Sequence, residues 1–107
     1  MFTRVVELTS KSGKSKQLCD TIDDKALPIL RKQRGFVDEM VLVSADEPDE
    51  VLTISIWNSR ADAEQYHREE YPKIYETVRH LLEEEPSIRT FEVRTSTGHR
   101  IAAGKAA

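Results

Sequence analysis

Scarcity sets the first limits on this chain. Its 107 residues include 1 cysteine, 1 tryptophan, 4 glycines and 4 prolines. A lone Cys19 excludes an internal disulfide and any multi-cysteine metal site. Its place on the apolar side of a helical stretch reads as core packing rather than as a reactive thiol. No apolar run approaches the ~18 residues that a membrane-spanning helix needs, and Met1 leads straight into a strand pattern instead of a signal peptide. Positive charge is not in excess either. Sixteen Lys and Arg against 19 Asp and Glu give a net charge of −3, which offers no basic footprint for nucleic acid. The short Lys11, Lys14 and Lys16 cluster reads as a solvated loop. Three histidines, His67, His80 and His99, are too scattered for a recognisable metal spacing. The expectations are a single domain, with no metal, no nucleic acid and no membrane as partners, in the cytoplasm by default.

What the chain does have is alternation. From Phe2 to Thr9, Phe2, Val6 and Leu8 share a strand face with Arg4. A charged residue in an apolar row is either a strand-end side chain that snorkels to water or a cation facing a pocket. After a turn at Ser10–Gly13, Leu18, Cys19, Ile22, Ala26, Ile29 and Leu30 recur at helical spacing, predicting a helix from about Ser15 to Gln33 that Gly35 stops. Pro28 lies opposite that apolar stripe and should bend the helix by removing a backbone hydrogen bond. Val37–Ser44 and Val51–Trp57 form a strand pair around the acidic turn Ala45–Asp49. In the second of them Leu52, Ile54 and Ile56 oppose Val51, Thr53, Ser55 and Trp57.

Asn58 or Ser59 can cap a second helix. Its stripe takes in Ala63, His67, Tyr71, Ile74, Val78, Leu81 and Leu82, with His67 close to the centre, Tyr75 at one flank and Tyr66 further out. Pro72 splits this helix as the first residue of its second piece and leaves room beneath. Glu83–Pro86 ends it, Ser87–Thr95 makes the last strand, and residues 96–107 form a small-residue tail, either disordered or packed on a partner subunit.

Strand, helix, strand, twice over, predicts an α+β, ferredoxin-like βαββαβ fold across residues 1–95. Four antiparallel strands then carry both helices on one face. The other face would bare Val5, Val41, Val43 and Trp57 or their alternates, more than a soluble monomer normally exposes. A sheet-to-sheet homodimer is the simplest cover, with Trp57 as either a packing or an interface residue.

Chemistry has few candidates. His67 alone combines a suitable unperturbed pKa with a predicted aim into the helix-to-sheet space, which makes it the candidate base; the alternative is a satisfied core histidine. Arg4 could hold a developing oxyanion, with Tyr71 and Tyr75 as donors, or the tyrosines are core-edge residues whose hydroxyls reach water.

Four stretches carry a further signal: Leu27-Pro-Ile-Leu-Arg-Lys-Gln-Arg-Gly-Phe36, Ile56-Trp57-Asn58-Ser59, Ala63-Glu-Gln-Tyr66 and Tyr71-Pro-Lys-Ile-Tyr75. In these the chain resembles the antibiotic biosynthesis monooxygenase family, dimeric ferredoxin-like α+β barrels, up to about Val93. The resemblance implies cofactor-independent oxygenation of a small phenolic or quinol-type aromatic molecule, without metal or flavin. Members that degrade haem use an Asn, a Trp and a His at positions that look like Val6, Tyr66 and Glu76 here. None of these three supplies the donor, the bulky indole or the iron ligand. Quinol-type members often carry His where this chain has Tyr66 and Tyr71. Tyrosine can hydrogen-bond a phenolic substrate, but with a pKa of about 10 it is a poor base at neutral pH. Tyr66 thus joins Arg4, Tyr71 and Tyr75 as an expected substrate contact. The alternative function is a non-catalytic or isomerase-type dimeric protein that binds a small molecule. An enclosed apolar cavity beside His67 separates the two.

Overall fold

The computed structural model describes residues 1–100. Four strands, β1 (Phe2–Thr9), β2 (Phe36–Val43), β3 (Glu50–Trp57) and β4 (Ser87–Glu92), form one antiparallel sheet in the order β2-β3-β1-β4. Two interrupted helices cover one face, giving the ferredoxin-like α+β arrangement. The first consists of α1 (Ser15–Thr21), a π turn (Ile22–Ala26) and α2 (Leu27–Leu30); the second of α3 (Arg60–Glu69) and α4 (Tyr71–Val78), followed by a 3-10 turn (Arg79–Leu81).

Both interruptions follow from proline. Pro28 has no N–H, and its ring would crowd the carbonyl four residues back. The chain widens into a π turn just before it, where the Leu27 N–H bonds to the Ile22 carbonyl, an irregularity of the kind that accompanies bends in helices. Leu18, Ile22, Ala26 and Leu30 all remain buried against the sheet. Pro72 sits at the start of α4, where a missing N–H costs nothing. Ser59 resolves the choice of cap for α3: its Oγ accepts from the Asp62 N–H at 3.2 Å and donates to Asp62 Oδ2 at 3.0 Å. Gly35 ends the first helical segment at φ +79°, and a Cβ there would collide with the Asp62 carboxylate.

The strand register decides which residues face the helices. Phe2, Arg4, Val6 and Leu8 pair with Trp57, Ser55, Thr53 and Val51, and Glu39, Val41 and Val43 pair with Ser55, Thr53 and Val51; all of these lie on the helix side. Trp57, Val41 and Val43 therefore do not belong to the outer face. Trp57 is fully buried, packed against Phe36 at 5.6 Å and Tyr66 at 5.1 Å between ring centres. Its indole N–H donates to Ser55 Oγ at 2.9 Å. A buried indole needs such a partner, and only the mixed face of β3 supplies one. The alternates Leu52, Ile54 and Ile56 lie outside with Val5, Met40, Leu42 and Phe91. Of these Met40, Leu42 and Phe91 are 44%, 42% and 44% exposed.

The last strand stops at Glu92 rather than Thr95, although the Val93 N–H still bonds to the Met1 carbonyl at 2.9 Å. At the start of the expected tail, the His99 imidazole turns back to Asp38 at 3.3 Å; residues 101–107 of that tail lie outside the described residues. Among the described residues no helix is long and apolar enough to cross a membrane.

Candidate functional site

β1 is bonded on both sides, to β3 and β4, so Arg4 is fixed at the centre of the sheet. Its side chain rises into the space beneath the helices and is only 4% exposed. There it borders a cavity of about 50 Å³, or about 510 Å³ when the crevices and open mouth are counted. Arg4, Glu39, Ser55, Tyr66, Tyr71 and Tyr75 provide the polar atoms of the wall; Val6, Ile22, Leu30 and Ile74 provide apolar surface.

Aromatic faces surround the Arg4 guanidinium. Its carbon stands 4.3 Å from the ring centre of Tyr71 and 5.4 Å from that of Tyr66, a cation–π geometry that partly replaces lost water. Burial lowers the Arg4 pKa from its ordinary value, while the two tyrosines and Glu39 act the other way. Tyr66 and Tyr71 are pushed up, first by burial and against the pull of Arg4. They are neutral O–H groups at physiological pH.

Glu39 is the residue that the sequence reading passed over. Burial pushes its carboxyl up to about 8; Arg4 draws it down and Asp38 pushes it further up. It reaches the cavity because it shares a row of β2 with Val41 and Val43. That row carried the signal: a charged residue among inward apolar neighbours is the same anomaly that marked Arg4.

His67 stands elsewhere. It is exposed, and it borders a separate cleft of about 430 Å³, mouth included, with Phe2, Arg4, Arg60 and Thr90. Arg4 forms the partition, donating from Nη2 to His67 Nδ1 at 2.9 Å. A nitrogen that accepts from a guanidinium carries no proton, so the ring is neutral with its proton on Nε2. Burial and Arg4 both lower its pKa. The sequence placed His67 at the stripe centre because one helical wheel was run through Pro72. At Glu70, φ −117° breaks the helix and resets its phase. Ala63 and Tyr66 face inward from α3, and Ile74 and Val78 from α4. His67 instead starts a ladder at four-residue spacing. It stacks on Tyr71 at 5.3 Å, Tyr71 on Tyr75 at 6.3 Å, and Arg79 lies 5.9 Å from the Tyr75 ring.

The cavity therefore brings together Arg4, Tyr66, Tyr71 and Tyr75, adds Glu39 and leaves out His67. Among the described residues no group of three or more His, Cys, Asp or Glu could hold a metal ion. Residues 1–74 match the family model for antibiotic biosynthesis monooxygenase. The chain belongs to this family. Solved structures share the antibiotic biosynthesis monooxygenase fold along nearly their whole length. SnoaB, a cofactor-independent oxygenase from Streptomyces nogalater solved in a mutant form, superposes with a TM-score of 0.77 at 17% identity, over 92% of this chain and 97% of SnoaB. A candidate antibiotic biosynthesis monooxygenase from Nitrosomonas europaea gives 0.75 at 18% identity, over 87% and 98% of the two chains. A Shewanella oneidensis protein gives 0.71 at 22%, over 84% and 87%. At such identities the likeness is one of fold. No curated protein matches the sequence.

Proposed function

We propose that this protein is a cofactor-independent monooxygenase of a small phenolic or quinol-type substrate, with Glu39 as the base. One observation carries the reading: a carboxyl held at about 8 shares a largely apolar cavity with the buried Arg4 and three tyrosines. A base is most useful when its pKa lies near the working pH, and a buried cation stabilises the anion that proton removal leaves.

The electrons come from the substrate. The ionised Glu39 takes a proton from the substrate hydroxyl or from an activated C–H, and the anion forms beside Arg4. One electron passes to dioxygen, and the resulting radical pair joins through a C–O bond as a peroxide. Glu39 returns its proton to the outer oxygen; the O–O bond then breaks as the hydrogen still on that carbon departs with the outer OH as water, and the inner oxygen stays on the product as a carbonyl. Tyr66, Tyr71 and Tyr75 supply donors and ring faces to the substrate.

Oxygen uptake with 1,4-dihydroxynaphthalene, corrected for uncatalysed oxidation, tests this. The expected rate rises with pH through about 8, and Glu39→Gln lowers kcat by roughly 100-fold or more. A Glu39→Gln protein with the parent rate rules the assignment out. The binding-only or isomerase-type alternative draws support from the small free volume, about 50 Å³, and it predicts ligand binding with no oxygen uptake.

The partner is a second copy of this chain. Val5, Met40, Leu42, Leu52, Ile54 and Ile56 are apolar neighbours on the outer face, with Phe91 beyond Thr3, and pairing two such faces removes both from water.

A further inference from the structure

Arg4 is a buried cation to which the described residues give little counter-charge. Its hydrogen-bond partners are uncharged, a neutral ring nitrogen of His67 and the Tyr71 hydroxyl. The ion pairs among the described residues do not include it, and its nearest acidic influence, Glu39, is held largely protonated at neutral pH. A guanidinium cannot escape burial by giving up its proton, and a buried charge is costly until an opposite charge reaches it. Arg4 also borders two spaces at once, the tyrosine-walled cavity and the outer cleft. The cleft has a second guanidinium at its rim: Arg60 lies 5.7 Å from the Phe2 ring and is paired at 2.9 Å with Glu64, which also lines the cleft and which a bound carboxylate would replace on Arg60. One planar group with five N–H donors can serve both spaces.

We propose that the natural substrate is an aromatic acid, with its ring and reactive hydroxyl in the cavity and a carboxylate on the neighbouring carbon seated in the cleft between Arg4 and Arg60. This rests on the oxygenase reading for the reaction but not for the binding. A hydroxyl and a carboxylate on adjacent ring carbons are close enough for the two edges of a single guanidinium, and such charge-assisted pairs are among the stronger hydrogen bonds. The carboxylate takes the place of His67 on Nη2, so the His67 ring yields on binding.

Anaerobic titration calorimetry with 1,4-dihydroxy-2-naphthoic acid and with 1,4-dihydroxynaphthalene tests the inference, since the two differ only in the carboxylate. The acid is expected to bind at least ~10-fold more tightly. Arg60→Gln, which alters an exposed side chain and leaves the core intact, is expected to erase most of that ratio. Equal affinities, no binding of either probe, or a ratio untouched by Arg60→Gln would overturn the proposal. Oxygen uptake keeps the two readings apart. A tightly bound acid that is never oxidised removes the oxygenase reading and leaves the acid site standing. A neutral quinol that binds and turns over as well as the acid removes the acid site and leaves the oxygenase.

Discussion

The Arg4 guanidinium donates to His67 Nδ1 across 2.9 Å, and this contact occupies the His67 lone pair in the resting protein. The remaining ring nitrogen carries a proton. The histidine suggested by residue type alone is thus hydrogen-bonded to Arg4, while the cavity presents Glu39.

His67 should appear in nitrogen-detected NMR as the neutral ring with its proton on Nε2, and should stay neutral below its ordinary value of 6.5. Its folded pKa is depressed, so its contribution to stability is present above 6.5 and is lost as pH falls through the lower, folded value. His67→Ala is expected to leave kcat within ~10-fold of the parent, the loss coming through Arg4 placement rather than proton transfer. A loss as large as that of Glu39→Gln would return the base to His67.

Glu39 acts on stability in the opposite direction. Its carboxyl moves from an ordinary 4.5 to about 8 in the folded chain. Between those values the folded state keeps a proton that the unfolded state has released, so stability declines as pH rises. Urea unfolding at intervals from pH 4.5 to 8 should show this decline, and Glu39→Gln should flatten it. Parallel curves for the two proteins would show that Glu39 is not buried as described.

The outer sheet face gives a mass prediction. Leu42 is 42% exposed, so Leu42→Glu places a charge within the proposed interface without disturbing the core. Light scattering should find the parent as a dimer at micromolar concentration and Leu42→Glu as a folded monomer. A parent that is a folded monomer sinks the sheet-to-sheet arrangement.

Gly35 allows a clean stability test, because its φ of +79° and its contact with Asp62 both resist a side chain. Gly35→Ala should cost at least ~1–3 kcal/mol in chemical denaturation. Adding Asp62→Ala should recover the steric part and leave the backbone part. Full recovery would show that the positive φ itself carries no penalty.

Much of this was legible in the residues. Alternation in Phe2–Thr9 and Glu50–Trp57 marked the two central strands, and Pro72 marked the split in the second helix. Arg4 was visible because a charge interrupted an apolar row. What alternation could not say was which row faces the helices. Leu52, Ile54 and Ile56 look more core-like than Val51, Thr53, Ser55 and Trp57. The inner face nevertheless takes the mixed row, because Trp57 needs Ser55 and the cavity needs polar walls. Glu39 escaped notice for the same reason: with Val41 and Val43 read toward the outer face, a charge in their row would meet water and had no reason to stand out. His67 was misplaced by a helical phase that does not survive the break at Glu70.

The roof over the cavity has two joints, at Ile22–Ala26 and at Glu70–Tyr71, while its floor is the most heavily bonded part of the sheet. Floor and roof therefore have different mechanics. In amide exchange, β1 and β3 should be the slowest segments and the residues at the joints among the fastest. On the proposed function, a free volume of about 50 Å³ would have to grow to admit an aromatic ring, and the short helical pieces at those joints are the part of the wall that could give, above an Arg4 held by the sheet.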